Sequence, residues 1–408
     1  MKFLRRPVGT LIRAAARFEL HPPRTWEIPV HKILLGGEHN LRAKQYSYLT
    51  GDLLRPSTRA SSGPHATFLA DYERLGERIF DQDIFETTSY YKNARDCIRV
   101  FGHYFPYGFS PDQLVLTAKR FALQFEGKSV AHLPAEGHSR EGEVIKVFRV
   151  RDSDCYELIE GNHRVAFAAR RNQKLITATV HFQANHTPLQ EMVLNVAWES
   201  GAKELYQPLG LPEFERSWIL LRDCEARFDK ILRFLRVRQL WADRVDRVVD
   251  IGSYYGWFVS RLAAAGYNAH GIERDRQAIR IGELVYGNLE GRVLWDDAPT
   301  ALSEAAMPSD VICCLSVMHH YVMGKYSTSA DEFLKLLNER TRKVLFFEMG
   351  EEHEQWFAQS LAGWNKDFIK NWVIKNTDFK TAHELGRDGD NKGRYRNNFG
   401  RMLFAFEK

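Results

Sequence analysis

Two carboxylates bracket a glycine turn in residues 247–275, RVVDIGSYYGWFVSRLAAAGYNAHGIERD. Asp250 closes a short apolar run, Gly252 and Gly256 follow it, and Glu273 ends a second apolar run at 268–272. Acid, glycine turn, helix, strand and acid in that order suit a nucleotide-like ligand lying over strand ends, where a helix N-terminus offers free N–H groups. Farther on, Ser316 and the pair His319–His320 follow the apolar run 310–315. An imidazole there, with a pKa near neutrality, can take a proton from a hydroxyl. Asp296 and Asp297 end another short run at 292–295. In the first half, Glu160-Gly161-Asn162-His163-Arg164 joins a strand pattern to an alanine-rich helix pattern, a setting that favours an anion.

These residues need elements to position them. The C-terminal half alternates strand and helix patterns as a doubly wound sheet requires. A helix over 215–241 with an apolar stripe at Phe228, Ile231, Leu232 and Leu235 leads into it, and runs at 343–347, 379–385 and 402–406 complete it. Glu348, Glu351 and Glu352 cluster after the first of these, either as acceptor ligands or as a solvated helix start. The N-terminal half reads as an edge strand at 26–35, helices at 66–75 and 90–101, and a polar excursion at 123–142. A hairpin of 143–149 and 155–160, the helix after Arg164 and a strand at 176–181 follow. The expected division is a basic amphipathic segment 1–25, a domain 26–204, a linker 205–214 carrying two prolines, and a domain 215–408.

The dinucleotide fingerprint needs a central glycine, and here Tyr254 stands in its place. The pattern D-x-G-x-x-x-G-x-F with a following acid resembles motif I of class I S-adenosylmethionine (SAM) methyltransferases. That resemblance implies a Rossmann-like seven-stranded sheet, with SAM bound by Asp250, Gly252, Tyr254, Gly256, Glu273, Asp297 or Asp296, and Ser316. It places Glu273 on the ribose hydroxyls and Asp297, or alternatively Asp296, on the adenine amino group. His319 or His320 is then a candidate base, although histidine at the second position also serves to shape the pocket. The Asp/Asn-Pro-Pro-aromatic motif of enzymes that methylate exocyclic amines is absent.

Residues 26–182 resemble the α+β ParB/sulfiredoxin-like fold, most specifically at Gly161-Asn162-His163-Arg164. The resemblance implies a nucleotide phosphate at Gly161, His163 and Arg164, with ATP or CTP and magnesium as candidate ligands and Glu160 as a possible base. The alternative is a scaffold that docks the acceptor.

Composition sets bounds. A length of 408 residues fits two domains. A net charge of +5, from 57 basic and 52 acidic residues, is too mild to argue for nucleic acid as a partner. Five cysteines without a C-x-x-C pair argue for a reduced, cytoplasmic chain without structural zinc. Arg5, Arg6, Arg13 and Arg17 alternate with apolar residues, so the N-terminal segment is either a docked helix or a peripheral membrane contact. Residues 386–400 form a long Gly/Asn/Arg loop in which Arg387, Lys392, Arg394 and Arg396 can meet an acidic group.

The expected activity is SAM-dependent O-methylation of a sugar, glycan or other small-molecule hydroxyl. Rival readings are a bifunctional methyltransferase–kinase, a SAM- or nucleotide-binding protein, and an RNA methyltransferase.

Overall fold

Strands β1 (Arg24–Pro29), β2 (Ile33–Leu34), β3 (Ile145–Val150), β4 (Tyr156–Glu160) and β5 (Leu175–Asn185) form one sheet in the order β1-β5-β3-β4-β2. The computed structural model describes residues 23–37, 40–50, 56–104, 110–130, 144–196, 201–389 and 397–408. The basic N-terminal segment up to residue 22 and the loop cations Lys392, Arg394 and Arg396 lie outside the described residues, as does part of the 123–142 excursion. The β3–β4 pair is the expected antiparallel hairpin, and β1 is an edge strand antiparallel to β5.

Local chemistry sets the helices of this part. Thr88 caps the helix Ser89–Phe101 by accepting from Tyr91 N. Ser110 and Gln113 form a reciprocal capping box at Pro111–Phe125, a helix the sequence reading passed over. Phe68, Tyr90, Ala118 and Phe121 then bury the apolar faces in one cluster.

The second sheet has seven strands: β8 (Val248–Ile251), β9 (Ala269–Glu273), β10 (Val293–Trp295), β11 (Ser309–Leu315), β12 (Thr341–Glu348), β13 (Thr381–Arg387) and β14 (Met402–Glu407). Their order is β10-β9-β8-β11-β12-β14-β13. All neighbours are parallel except β12–β14 and β13–β14. Every residue of β8 and β11 is buried, as expected for parallel strands covered on both faces. One face packs on Phe228, Ile231, Leu235, Phe258 and Leu262, the other on Phe333, Leu334 and Leu337. The strand order reverses between β8 and β11, so a crevice opens at their carboxyl ends.

The chain separates into two compact units, Met1–Glu191 with Gly210–Trp218, and Met192–Leu209 with Ile219–Lys408. The simple linker expected at 205–214 is replaced by an exchange of segments. Strand β6 (Glu204–Leu205) pairs in parallel with β7 (Ile219–Leu220), which puts both short strands in the second unit. This corrects the expected helix over 215–241. The helix is Glu225–Val237, because β7 occupies the earlier residues and Cys224 turns the chain with a left-handed φ of 65°.

Candidate functional site in the second unit

The turn after β8 carries the approach. Gly252 has φ +66°, and a Cβ there would lie 2.6 Å from Val317 Cγ2, so no larger residue fits unless Val317 moves. Tyr254 is itself left-handed at φ 53°. Gly256 precedes the helix Trp257–Ala264. Glu273, at the end of β9, accepts from Tyr254 N and Asp275 N, both at 2.8 Å. Burial raises its pKa, and those N–H groups oppose the rise.

Asp250 is 3% exposed, near the end of β8 and on the lining of a cavity at the strand ends. Burial pushes its carboxyl up to about 8, with Arg227 pulling the other way and Glu273 adding to the rise. A cation bound beside such a buried carboxyl would favour its ionised form.

A cavity of about 660 Å³ opens against these groups, lined by Asp250, Gly252, Tyr254, Glu273, Asp296, Asp297, Ser316 and His320 among others. The two aspartates have separate local tasks. Asp297 caps the helix Ala298–Glu304 by accepting from Thr300 N at 3.1 Å and Thr300 Oγ1 at 2.6 Å. Asp296 Oδ1 accepts from Asp297 N at 2.8 Å.

The histidine pair divides. His320 lines the cavity, and its Nδ1 is buried without a hydrogen-bond partner among the described residues. Burial, with Lys325, Arg274 and Arg401 nearby, pushes it down to about 4. His319 is buried away from the cavity lining. Its Nδ1 accepts from Gly350 N at 3.2 Å, and its ring meets Phe357 at 4.9 Å between centroids. Its contacts are those of a core histidine, which corrects its candidacy as a base.

Ser316 is also left-handed, at φ 62°. Its hydroxyl donates to Glu348 Oε1 at 2.8 Å and accepts from Arg222 Nη1 at 3.0 Å. Glu348 is fully buried and meets Arg222 at 3.0 Å, Arg227 at 3.1 Å and Arg401 at 3.6 Å. Burial alone would raise its pKa, but the three guanidiniums hold it below the usual carboxylate range. It is neither an acceptor ligand nor a solvated helix start. It ties Ser316, just past β11, to the end of β12. Glu351 is likewise buried, and pairs with Arg387 at 3.1 Å.

Sequence reasoning missed one wall of the cavity. Val196, Glu204, Tyr206, Gln207 and Leu221 line it from a stretch read as domain end, linker and leading helix, and Arg227 joins them from a helix read as core only. The signal available was a cluster of aromatic and amide residues, Tyr206-Gln207, in a supposed linker.

In the first unit, Gly161 takes φ +113° ahead of the helix Asn162–Arg170. Glu160 is engaged by Lys146 at 2.8 Å, which argues against a free base. His163 stacks on Phe121 with centroids 4.1 Å apart. Arg164 reaches back toward the turn, its Nη2 lying 3.2 Å from where a Cβ on Gly161 would be. Among the described residues no group of three or more His, Cys, Asp or Glu could hold a metal ion, and no helix is long and apolar enough to cross a membrane.

No family model matches the sequence, and no curated protein matches it. Solved structures do. WbdD, described as a bifunctional kinase-methyltransferase, is 19% identical and covers 53% of this chain and 46% of its own, with a TM-score of 0.43. This chain thus spans under half the length of WbdD. A SAM-dependent methyltransferase from Archaeoglobus fulgidus is 13% identical, covering 46% of this chain and 97% of its own, with a TM-score of 0.32. Magnesium protoporphyrin IX methyltransferase from Synechocystis PCC 6803, solved with bound SAM, is 18% identical, covering 45% and 78%, with a TM-score of 0.32. These structural neighbours are methyltransferases.

Proposed function

We propose that the second unit is a SAM-dependent methyltransferase that methylates a hydroxyl of a sugar, glycan or other small molecule. The observation that carries this reading is the pairing, in one cavity at the switch point of the sheet, of Asp250 with Glu273. A buried carboxyl on the cavity lining suits a cationic ligand group. A second carboxylate, held rigidly by two backbone N–H groups, suits neighbouring hydroxyls. Both fit SAM.

When bound, SAM supplies an electrophilic methyl whose transfer to an acceptor oxygen breaks the carbon–sulfur bond, the electron pair staying on sulfur. Asp250 neutralises positive charge on that ligand, and Glu273 fixes the register of the glycine turn beneath it. The cavity walls hold an acceptor and exclude water, which is the larger part of what such a displacement requires. His320, neutral at ordinary pH, receives the hydroxyl proton at its ring. With a pKa near 4 it is a weak base. It therefore takes the proton late, once bond formation has made the acceptor oxygen strongly acidic.

The test has two parts. Titration calorimetry of the intact chain with SAM should give saturable binding that Asp250→Asn and Glu273→Gln weaken. A panel of sugars and other polyols incubated with methyl-labelled SAM should yield a labelled ether in wild type and much less in His320→Ala. Labelled amine or nucleic acid with no labelled ether would refute the acceptor class.

A further inference from the structure

Residues 201–209 build a wall of the cavity that the chemistry above does not use, and several contacts fix that wall to the glycine turn. Gln207, 4% exposed, donates through Nε2 to Ser253 O at 3.2 Å and accepts at Oε1 from Trp257 N at 3.4 Å. Trp257 is the first residue of its helix, and Gly256 before it has no side chain to cap it. The Gln207 amide therefore serves as a cap delivered from another segment.

Tyr254 makes the second attachment. Its ring meets Tyr206 edge-on with centroids 5.4 Å apart, while its hydroxyl donates at 3.0 Å to Val196 O, which lies before this stretch. Farther along, the Tyr286 hydroxyl donates to Pro208 O, and the β6–β7 pairing holds Glu204 and Leu205. Tyr254 occupies a left-handed conformation that glycine adopts at lower cost, at the place where a dinucleotide turn has its central glycine. Its side chain contributes the contacts that a glycine cannot make.

We propose that residues 201–209 are a retaining strap for the ligand of this cavity, with Gln207 and Tyr254 as positioning residues that tie the strap to the glycine turn. The strap slows ligand escape, and its anchors act through the turn rather than on the reacting atoms. The inference rests on the reading of this cavity as a SAM site.

The test uses the full chain as wild type, Tyr254→Gly and Gln207→Met. It measures the SAM dissociation rate by stopped-flow displacement and the melting temperature without ligand. Glycine relieves the backbone of Tyr254 while releasing the strap, so Tyr254→Gly should melt within about 4 °C of wild type. It should nevertheless lose SAM at least ten-fold faster, and Gln207→Met several-fold faster. Tyr254→Phe, which keeps the ring on Tyr206, should restore part of the difference. Unchanged dissociation rates in both variants would overturn the strap. Faster dissociation found only together with a collapse in ligand-free melting would also overturn it, since the residues would then act on folding. Wild type that binds no SAM would instead refute the reading of the cavity on which the strap rests.

Discussion

The backbone N–H of Tyr254 donates to Glu273 Oε2 at 2.8 Å, so the turn after the first parallel strand is latched by the carboxylate ending its neighbour. The two residues lie 19 apart in sequence and at adjoining strand ends in the fold. Glu273→Gln removes the charge from that latch and leaves one oxygen as an acceptor. Hydrogen bonds to charged groups contribute about 1.5–3 kcal/mol. SAM affinity should fall by roughly ten- to a hundred-fold, measured by calorimetry, with the sheet intact by circular dichroism.

On the proposed reading, Asp250 should make SAM binding depend on pH in a definite direction. With its carboxyl pushed up to about 8, the ligand-free site is largely protonated at pH 7. A cation bound beside it lowers that pKa, so binding at pH 7 should release a fraction of a proton and affinity should rise as pH approaches 8. Calorimetry in buffers of different ionisation enthalpy measures the proton count directly. Asp250→Asn should abolish the release. In the ligand-free protein the same group binds more protons folded than unfolded between about pH 4 and 8, so its contribution makes stability fall as pH rises through that window.

Glu348 is the anchor whose loss should be felt most in folding. Glu348→Ala leaves Arg222, Arg227 and Arg401 with a buried partner missing, and breaking a buried pair from one side costs about 3–5 kcal/mol. Chemical denaturation should show a fall of that order. Glu384→Ala is the contrast. It removes exposed partners of Lys366 and Lys370 and should change stability by under about 1 kcal/mol.

The two histidines should separate in kinetics. His320→Ala should keep SAM affinity while lowering kcat, by about a hundred-fold or more if the proton transfer is fully exposed in the rate. His319→Ala should act on stability, because it empties a buried site beside Phe357 and leaves Gly350 N without its acceptor. Both imidazoles are held below their ordinary pKa, so neither should give a titration step near pH 6.5 in the rate profile.

The strand alternation of the second half was legible because parallel strands buried on both faces leave unbroken apolar runs, as in β11, and glycine turns punctuate them. Asp250, Gly252 and Glu273 stand out as candidates in the sequence, and one βαβ unit brings them to the same strand ends. The difference between His319 and His320 does not. Adjacent residues on a short helix point in different directions, and only packing decides which meets Phe357 and which meets the cavity. The role of Glu348 was hidden for a similar reason, as its partners Arg222, Arg227 and Arg401 come from distant segments. The wall at 201–209 was missed because proline and glycine nearby read as a boundary, whereas two residues of β6 pair with β7 across the exchanged segments.

The most direct measurement is titration calorimetry of the intact chain with SAM at pH 7.5, beside Asp250→Asn. The expected result is saturable binding to wild type that the variant loses or weakens at least ten-fold. A folded wild-type protein that takes up no SAM, or an Asp250→Asn variant that binds it equally well, would contradict the assignment of this cavity.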